Sequence, residues 1–326
     1  MKNLLITGGT GFFGRALLRH FDSVNRAKGS LPFDHVTIVS RSPENFRLRY
    51  PSLADMSWLG WHAGDVLSPS TLPQQGKYHF ILHAASDSTD TAALTPLQSY
   101  RQIVEGTENM LKFAATCGAQ RFLLTSSGGA YGPQPADMQT IAETYNAMPD
   151  PLNPGNAYGV AKRQAEHLCS LYGHQCGIET VIARCFAFVG EDLPTGAHFA
   201  IGNFIRDAME RPAITVNGNG SPLRSYMHQS DLANWLLTLL QHGAPGNAYN
   251  VGSDEAISIA DLAFLVRDIL SPGKPVNIKG AAIADNVLRS RYIPDVSKAK
   301  NQLGLQLTLP LAHAILLSQI EKSSSI

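Results

Sequence analysis

Thr7-Gly8-Gly9-Thr10-Gly11-Phe12-Phe13-Gly14 joins an apolar run at residues 2–7 directly to a helical pattern at residues 12–21. Three of its glycines have a use in such a junction. Gly8 suits a positive φ in the tight turn, Gly11 lets backbone N–H groups approach a pyrophosphate, and Gly14 lets the helix lie close on the strand. The helix N-terminus adds a favourable field for an anion. A glycine-rich turn alone is a weak signal. Set between a strand and a helix at the start of the chain, it reads as a dinucleotide site.

Outward from that loop, short apolar runs alternate with longer helical patterns. Strands are predicted at residues 36–40, 58–64, 79–83, 121–125 and 180–184, and helices at 98–117 and 157–172. Continuous apolar strands separated by helices form a parallel sheet covered on both faces. Right-handed crossovers then give a Rossmann-type doubly wound α/β sheet, with ligands at the C-terminal ends of the strands. Beyond about Phe186 the rhythm changes, and residues 187–224 are rich in Gly, Pro and Asn. There a helix is predicted at 202–210 and a strand at 214–216, followed by a helix at 231–241 and a strand at 248–251. A last helix at 258–270 opens on a Ser258 cap with Asp261 in its first turn. The chain is therefore expected to hold a dinucleotide-binding domain over residues 1–185, to which 225–252 return. A smaller C-terminal α/β substrate-binding part is expected over 186–224 and 253–326.

Composition narrows the partners. Among 326 residues, 26 basic side chains balance 26 acidic ones, so no electrostatic footprint for nucleic acid or an anionic membrane appears. No run approaches the ~18 apolar residues of a membrane span. The first apolar stretch ends at once in Thr7-Gly8-Gly9, unlike a secretory signal. Four cysteines without a C-x-x-C pair, and histidines without zinc spacing, leave a reduced, metal-free, cytoplasmic protein as the expectation.

The end of the second strand decides between nicotinamide cofactors. A carboxylate ~20 residues past the glycines usually binds the ribose diol of NAD. Asp34 has that spacing but precedes the strand. Ser40 holds the proper place, followed by Arg41 and Ser42. A hydroxyl and a guanidinium suit a 2′-phosphate, which points to NADP(H) ahead of NAD(H). Asp65, after Gly64, either bonds an adenine amino group or simply closes a turn.

Tyr158 and Lys162, four residues apart on a helix, share one face. An ammonium beside a phenol lowers its pKa from ~10 toward working pH, making Tyr158 a general acid/base for an alcohol or sugar oxygen. Ser126 and Ser127 follow the strand at 121–125, where a hydroxyl can share a hydrogen bond with the reacting oxygen or else cap a turn.

Together, residues 7–14, Gly64-Asp65-Val66, His83-Ala84-Ala85, Ser126-Ser127 with Tyr131-Gly132, Tyr158-x-x-x-Lys162, Arg224-Ser225-Tyr226, Asp231-Leu232 and Arg291-Tyr292-x-Pro294-Asp295 carry a resemblance. They resemble the extended short-chain dehydrogenases/reductases of the NAD(P)-dependent epimerase/dehydratase family, which act on nucleotide sugars. The likeness covers essentially the whole chain. It implies Ser127, Tyr158 and Lys162 as the catalytic residues, with Lys162 also binding the nicotinamide ribose. It implies cofactor contacts from Gly8, Gly11, Phe12, Phe13, Gly14, Ser40, Arg41, Asp65, Val66, Ala84 and Ala85. Arg224 and Arg291 match arginines that clamp the sugar diphosphate, and His198 and Asn203 fall in the substrate-loop region. Two positions depart from the pattern: Ala187 and Ile103 stand where relatives have asparagines. In relatives the helices matching 98–117 and 157–172 pair across a two-fold axis, which implies a homodimer built on a four-helix bundle. Apolar Ile103, Met110, Leu111 and Phe113 on one helix, and Val160, Leu168 and Leu171 on the other, are available for it; the plain alternative is packing on the sheet.

The same resemblance separates reactions by what is missing. Nucleotide-sugar 4,6-dehydratases resemble one another in an Asp-Glu after the catalytic Ser/Thr, and Gly128-Gly129 stand there instead. Decarboxylases of nucleotide uronic acids carry a glutamate, and 3,5-epimerising members a cysteine, at the position of Gly129. Redox chemistry at C4 remains, as a 4-ketoreductase of an NDP-4-keto-6-deoxyhexose or as a 4-epimerase with tightly bound NAD. Arg41 tips the choice toward the reductase. Two further readings are a redox-silent dinucleotide-binding regulator, which would typically lose Tyr158 or Lys162, and a steroid- or flavonoid-type reductase, against which paired arginines argue.

Overall fold

The computed structural model describes residues 2–27, 29–86, 94–194, 199–280 and 290–320. The chain runs β1 (Asn3–Thr7), α1 (Phe12–Arg26), β2 (His35–Ser40), α2 (Pro43–Arg49), α3 (Pro51–Ala54), β3 (Leu59–Ala63), β4 (Phe80–His83) and α4 (Pro96–Cys117). It continues through β5 (Arg121–Ser127), α5 (Ala157–Cys176), β6 (Glu179–Cys185), β7 (Phe188–Val189), α6 (Ala200–Glu210), β8 (Ile214–Val216), β9 (Leu223–Arg224) and β10 (Met227–His228). The remainder is α7 (Gln229–His242), β11 (Asn247–Val251), β12 (Ile257–Ser258), α8 (Ile259–Leu270), β13 (Val276–Ile278), β14 (Arg291–Tyr292), α9 (Ser297–Leu303) and α10 (Leu311–Ile320).

Among the described residues the main sheet has seven strands in the order β11-β6-β5-β4-β1-β2-β3. The chain starts in the middle, lays β2 and β3 on one side of β1, then returns to place β4 on the other. β1 pairs in parallel with both β2 and β4. This reversal is a topological switch point, and it lies beside the glycine turn that follows β1. Leu4, Leu5, Ile6, Ile38, Ile81 and Phe122 are fully buried, as strands covered on both faces require.

Element ends differ from the predicted ones for local reasons. α4 starts at Pro96, because Thr95 and Gln98 form a reciprocal capping box and Pro96 fits the first helical turn. α5 runs on to Cys176, where Gly177 closes it with a left-handed φ of 70°. β5 extends through Ser126 and Ser127, whose polar side chains interrupt the apolar pattern without ending the strand.

By contacts the chain forms two compact units. The first comprises Met1–Ala130, Met148–Arg184 and Ala233–Tyr249, and the second Tyr131–Ala147, Cys185–Leu232 and Asn250–Ile326. Residues 131–147, placed by sequence in the first domain, thus lie in the second unit, and the return begins at Ala233 and not at 225. The cause is a buried cluster of Tyr131, Ile141 and Phe186. The Tyr131 hydroxyl donates to Asn250 Oδ1 (2.8 Å), and Asn250 Nδ2 donates to the carbonyls of Ile141 (2.8 Å) and Asp295 (2.9 Å). The second unit otherwise consists of short sheets, β12-β9-β14, β13-β8 and β10-β7, with α6, α8, α9 and α10. Among the described residues no helix is long and apolar enough to cross a membrane.

Candidate active site

The glycine turn is built on two different grounds. Gly8 has φ 75°, and a Cβ on it would lie 2.5 Å from the Ala84 carbonyl oxygen. A Cβ on Gly14 would come within 2.2 Å of the Gly9 backbone, and one on Gly9 within 2.4 Å of Ile38 Cγ2. These three glycines let the chain pack on itself. Gly11 is different: among the described residues a Cβ there would meet only the Gly8 carbonyl oxygen, at 3.4 Å. α1 starts immediately after it, with no side-chain cap and no acidic residue in its first turn. A helix N-terminus without a side-chain cap, preceded by Gly11, fits the phosphates of a dinucleotide.

Thr7 ties this turn to the end of β4. Its carbonyl accepts from Ala84 N (3.2 Å), its Oγ1 accepts from Ala85 N (3.3 Å), and the same oxygen lies 2.7 Å from His83 Nδ1. Phe12 is buried and Phe13 half-buried beside it. At the end of β2, Ser40 is half-buried with its Oγ accepting from Ser42 N (3.3 Å), and Arg41 is exposed. Asp34 lies before β2, paired with the backbone of Lys2. Asp65 does act as a turn residue, since its Oδ1 accepts from Leu67 N (2.9 Å). The Val66 carbonyl accepts from Asn109 Nδ2 (2.9 Å) of α4.

Ser127, Tyr158 and Lys162 all belong to the first unit. Lys162 is 4% exposed; its Nζ donates to the Thr125 carbonyl (3.0 Å) and to Ser86 Oγ (3.4 Å), and lies 5.6 Å from the Tyr158 ring centroid. Burial and the nearby Lys162 charge hold His83 far below the usual imidazole range, at about 3, so it stands neutral beneath the ammonium. Ser127 Oγ accepts from Gly129 N (3.0 Å), which leaves the hydroxyl proton to donate. A Cβ at Gly129 would sit 3.3 Å from Ser127 Oγ and 3.9 Å from Tyr158 Cδ1. The missing side chain therefore lies beside both hydroxyl-bearing residues. Gly159 makes this closeness possible, because a Cβ on it would come within 2.6 Å of the Gly129 carbonyl oxygen.

Asn203, Arg224 and Arg291 belong to the second unit, and His198 lies outside the described residues. Asn203 is on α6, its backbone N–H donating to the Phe199 carbonyl. Arg224 and Arg291 sit on neighbouring strands, β9 and β14, both half-buried. Arg291 aligns with Leu223, and Tyr292 with Arg224, so the two arginines leave their strands on opposite faces. Arg224 Nη1 donates to the Leu223 carbonyl (2.7 Å) and Arg291 Nη1 to Gln139 Oε1 (3.0 Å).

Sequence reasoning missed one group in the first unit. Ser126 Oγ donates to Glu166 Oε1 (2.5 Å), and Arg184 grips both oxygens of that carboxylate, Nε at 3.0 Å and Nη2 at 2.7 Å. The signal was present in the spacing: Tyr158, Lys162 and Glu166 repeat every four residues along one face of α5.

The model of the NAD dependent epimerase/dehydratase family matches residues 4–252. A UDP-glucuronic acid decarboxylase 1 from Danio rerio is 30% identical over 320 residues, covering 96% of this chain and 71% of that protein. Among solved structures, a dTDP-glucose 4,6-dehydratase from Streptomyces venezuelae with NAD bound superposes with a TM-score of 0.84 at 20% identity, covering 99% and 97% of the two chains. The protein RMD from Pseudomonas aeruginosa, complexed with NADPH, gives 0.78 at 22% identity, with both chains covered completely.

Proposed function

The chain belongs to the NAD dependent epimerase/dehydratase family, and within it we propose that this protein carries out NAD(P)-dependent redox chemistry at C4 of a nucleotide sugar, as a 4-ketoreductase of an NDP-4-keto-6-deoxyhexose. The observation that carries this reading is Gly129. A side chain at this position would reach Ser127 Oγ and the Tyr158 ring, and glycine has none. Dehydration needs a base for the C5 proton, and decarboxylation of a 4-keto uronic acid needs an acid to protonate the enolate left at C5; Gly129 supplies neither beside Ser127 and Tyr158.

In this reading the nicotinamide, when bound, supplies the hydride for C4. The chain handles the oxygen. Tyr158 gives its phenolic proton to O4, Ser127 donates a hydrogen bond to the same atom, and Lys162, anchored on Thr125, stabilises the phenolate left on Tyr158. Arg224 and Arg291, with His198 and Asn203, are the proposed contacts for the nucleotide sugar; because the two arginines leave opposite faces of β9 and β14, each is proposed to contact it separately and not as one clamp. Ser40 and Arg41 support NADP(H), since neither is a carboxylate and Arg41 is exposed at the end of β2. The same residues in the same roles serve a 4-epimerase, with NAD retained between two hydride transfers.

The relatives named as UDP-glucuronic acid decarboxylases make that sugar the rival substrate to test. Purified protein is incubated with NADPH or NADH and a panel of UDP-, GDP-, CDP- and dTDP-sugars, including 4-keto-6-deoxy sugars and UDP-glucuronic acid. Oxidation of NADPH with a 4-keto sugar supports the reductase. Tightly bound NAD with interconversion of C4 epimers and no net oxidation supports the epimerase. Release of carbon dioxide from UDP-glucuronic acid overturns both.

A homodimer through α4 and α5 remains part of the proposal, though Ile103, Met110 and Leu111 are taken up by the core. Leu97 and Leu171, 59% and 42% exposed, remain on the outer surfaces of these helices, and light scattering decides the state.

A further inference from the structure

We propose that Glu166, clamped between Ser126 and Arg184, is a positioning residue that sets the geometry of Ser127, Tyr158 and Lys162. The proposal rests on the acid/base reading of Tyr158 given above.

Three elements meet at this carboxylate. Ser126 comes from β5, Glu166 from α5 and Arg184 from β6. The Glu166 and Arg184 side chains are 10% and 11% exposed, and Ser126 is 3% exposed. Three donors converge on the two oxygens, so the carboxylate has one orientation. A buried ion pair is an inefficient stabiliser, because apolar side chains of similar volume hold a core as well or better. What it adds over them is direction.

The direction matters because of what lies on either side. On α5, Glu166 is one turn beyond Lys162 and two beyond Tyr158. On β5, Ser126 separates Thr125, whose carbonyl accepts from Lys162 Nζ, from Ser127. Consecutive residues of the strand end are thus fastened to consecutive turns of the helix, Thr125 to Lys162 and Ser126 to Glu166. Two fastenings define both the spacing and the register of strand against helix, whereas one would leave a pivot. Without the Ser126–Glu166 bond, the end of β5 that carries Ser127 and anchors Lys162 loses its second hold on the helix that carries Tyr158.

The test compares Ser126→Ala, Ser126→Thr and Glu166→Gln in the full chain. Glu166→Gln leaves Arg184 buried without its counter-charge and is expected to lower thermal stability, so Ser126→Ala is the decisive variant. It removes the tether and keeps the ion pair. Tyr158 ionisation is followed by ultraviolet difference titration against the matching Tyr158→Phe protein, which requires no substrate. In Ser126→Ala we expect the midpoint to rise by about half a pH unit or more, as the Lys162 ammonium loses its fixed place, with the melting temperature lowered by a few degrees. Ser126→Thr should restore the wild-type midpoint. A midpoint unchanged in Ser126→Ala, or a shift that Ser126→Thr does not reverse, overturns the proposal. Absence of turnover on every sugar, with Tyr158 titrating as described, overturns the C4 chemistry and leaves the positioning role standing.

Discussion

The ends of β1, β4 and β5 and the small sheet β12-β9-β14 both present polar groups, yet they are built on different terms. In the first region nearly every candidate residue is held by backbone or by a buried partner: Gly8 against Ala84, Lys162 on Thr125, Ser127 under Gly129. In the second, two arginines extend from strands of two residues each, half-buried, and hold a carbonyl and a glutamine. A cofactor and a transferred proton demand fixed geometry, because misplacement by an ångström can cost orders of magnitude in rate. A diphosphate demands charge within reach, which short strands can vary without disturbing the main sheet. In the proposed function, common chemistry belongs to the first region and selectivity to the second.

The largest effects should come from the rigid region. Gly8→Val requires a β-branched residue at positive φ and a Cβ 2.5 Å from a carbonyl oxygen, and is expected to abolish dinucleotide binding in a calorimetric titration. Gly11→Ala, whose Cβ meets nothing closer than 3.4 Å among the described residues, should keep the melting temperature within a few degrees and still weaken dinucleotide binding about tenfold or more. If both variants behave alike, the two grounds for glycine in this turn are not distinct.

Next in size, Tyr158→Phe should lower kcat by roughly a thousandfold while leaving cofactor affinity within about twofold. Retained turnover would remove the chemistry from this region altogether. In the second region, Arg291→Ala or Arg224→Ala should raise the KM for the nucleotide sugar by about ten- to a hundredfold, the range of a charge-assisted hydrogen bond, with cofactor affinity unchanged. A loss of cofactor affinity in either variant would break the assignment of separate tasks.

A separate effect is on acid stability. His83 has a folded pKa of about 3 against ~6.5 for an unfolded chain. The unfolded state therefore binds the extra proton between these values, and the contribution of neutral His83, complete above pH 6.5, is lost progressively as pH falls toward 3. His83→Gln should flatten the dependence of unfolding free energy on pH in that window by about 1.4 kcal/mol per unit, measured by urea denaturation. An unchanged slope would mean that His83 takes up its proton in the folded protein.

The two regions were also unequally legible. Gly8, Gly14, Tyr158 and Lys162 follow from local rules, a turn that needs positive φ and a helix that puts residues four apart on one face. The Ser126–Glu166–Arg184 group was not legible, although its helical spacing was visible, because the partners are up to 58 residues apart in sequence and come from separate strands. Gly9 likewise carried no assigned role from sequence, because its constraint is the side chain of Ile38 on the neighbouring strand β2. The one-residue offset between Arg224 and Arg291 depends on how β9 and β14 pair, and two-residue strands carry no periodicity from which register could be read.

By itself, then, the sequence determined the glycine turn, the parallel alternation of strands and helices, the Tyr158–Lys162 face and the absence of a side chain at 129, all of which are set by neighbours along the chain. The tertiary structure alone decided that residues 131–147 leave the first unit, that Gly8 packs against Ala84 and Gly9 against Ile38, and that a buried carboxylate ties β5 to α5. The physical reason is the range of the forces involved. Backbone conformation and helical spacing act within a few residues, whereas burial, close approach and directed ion pairs exist only once distant strands have been brought side by side.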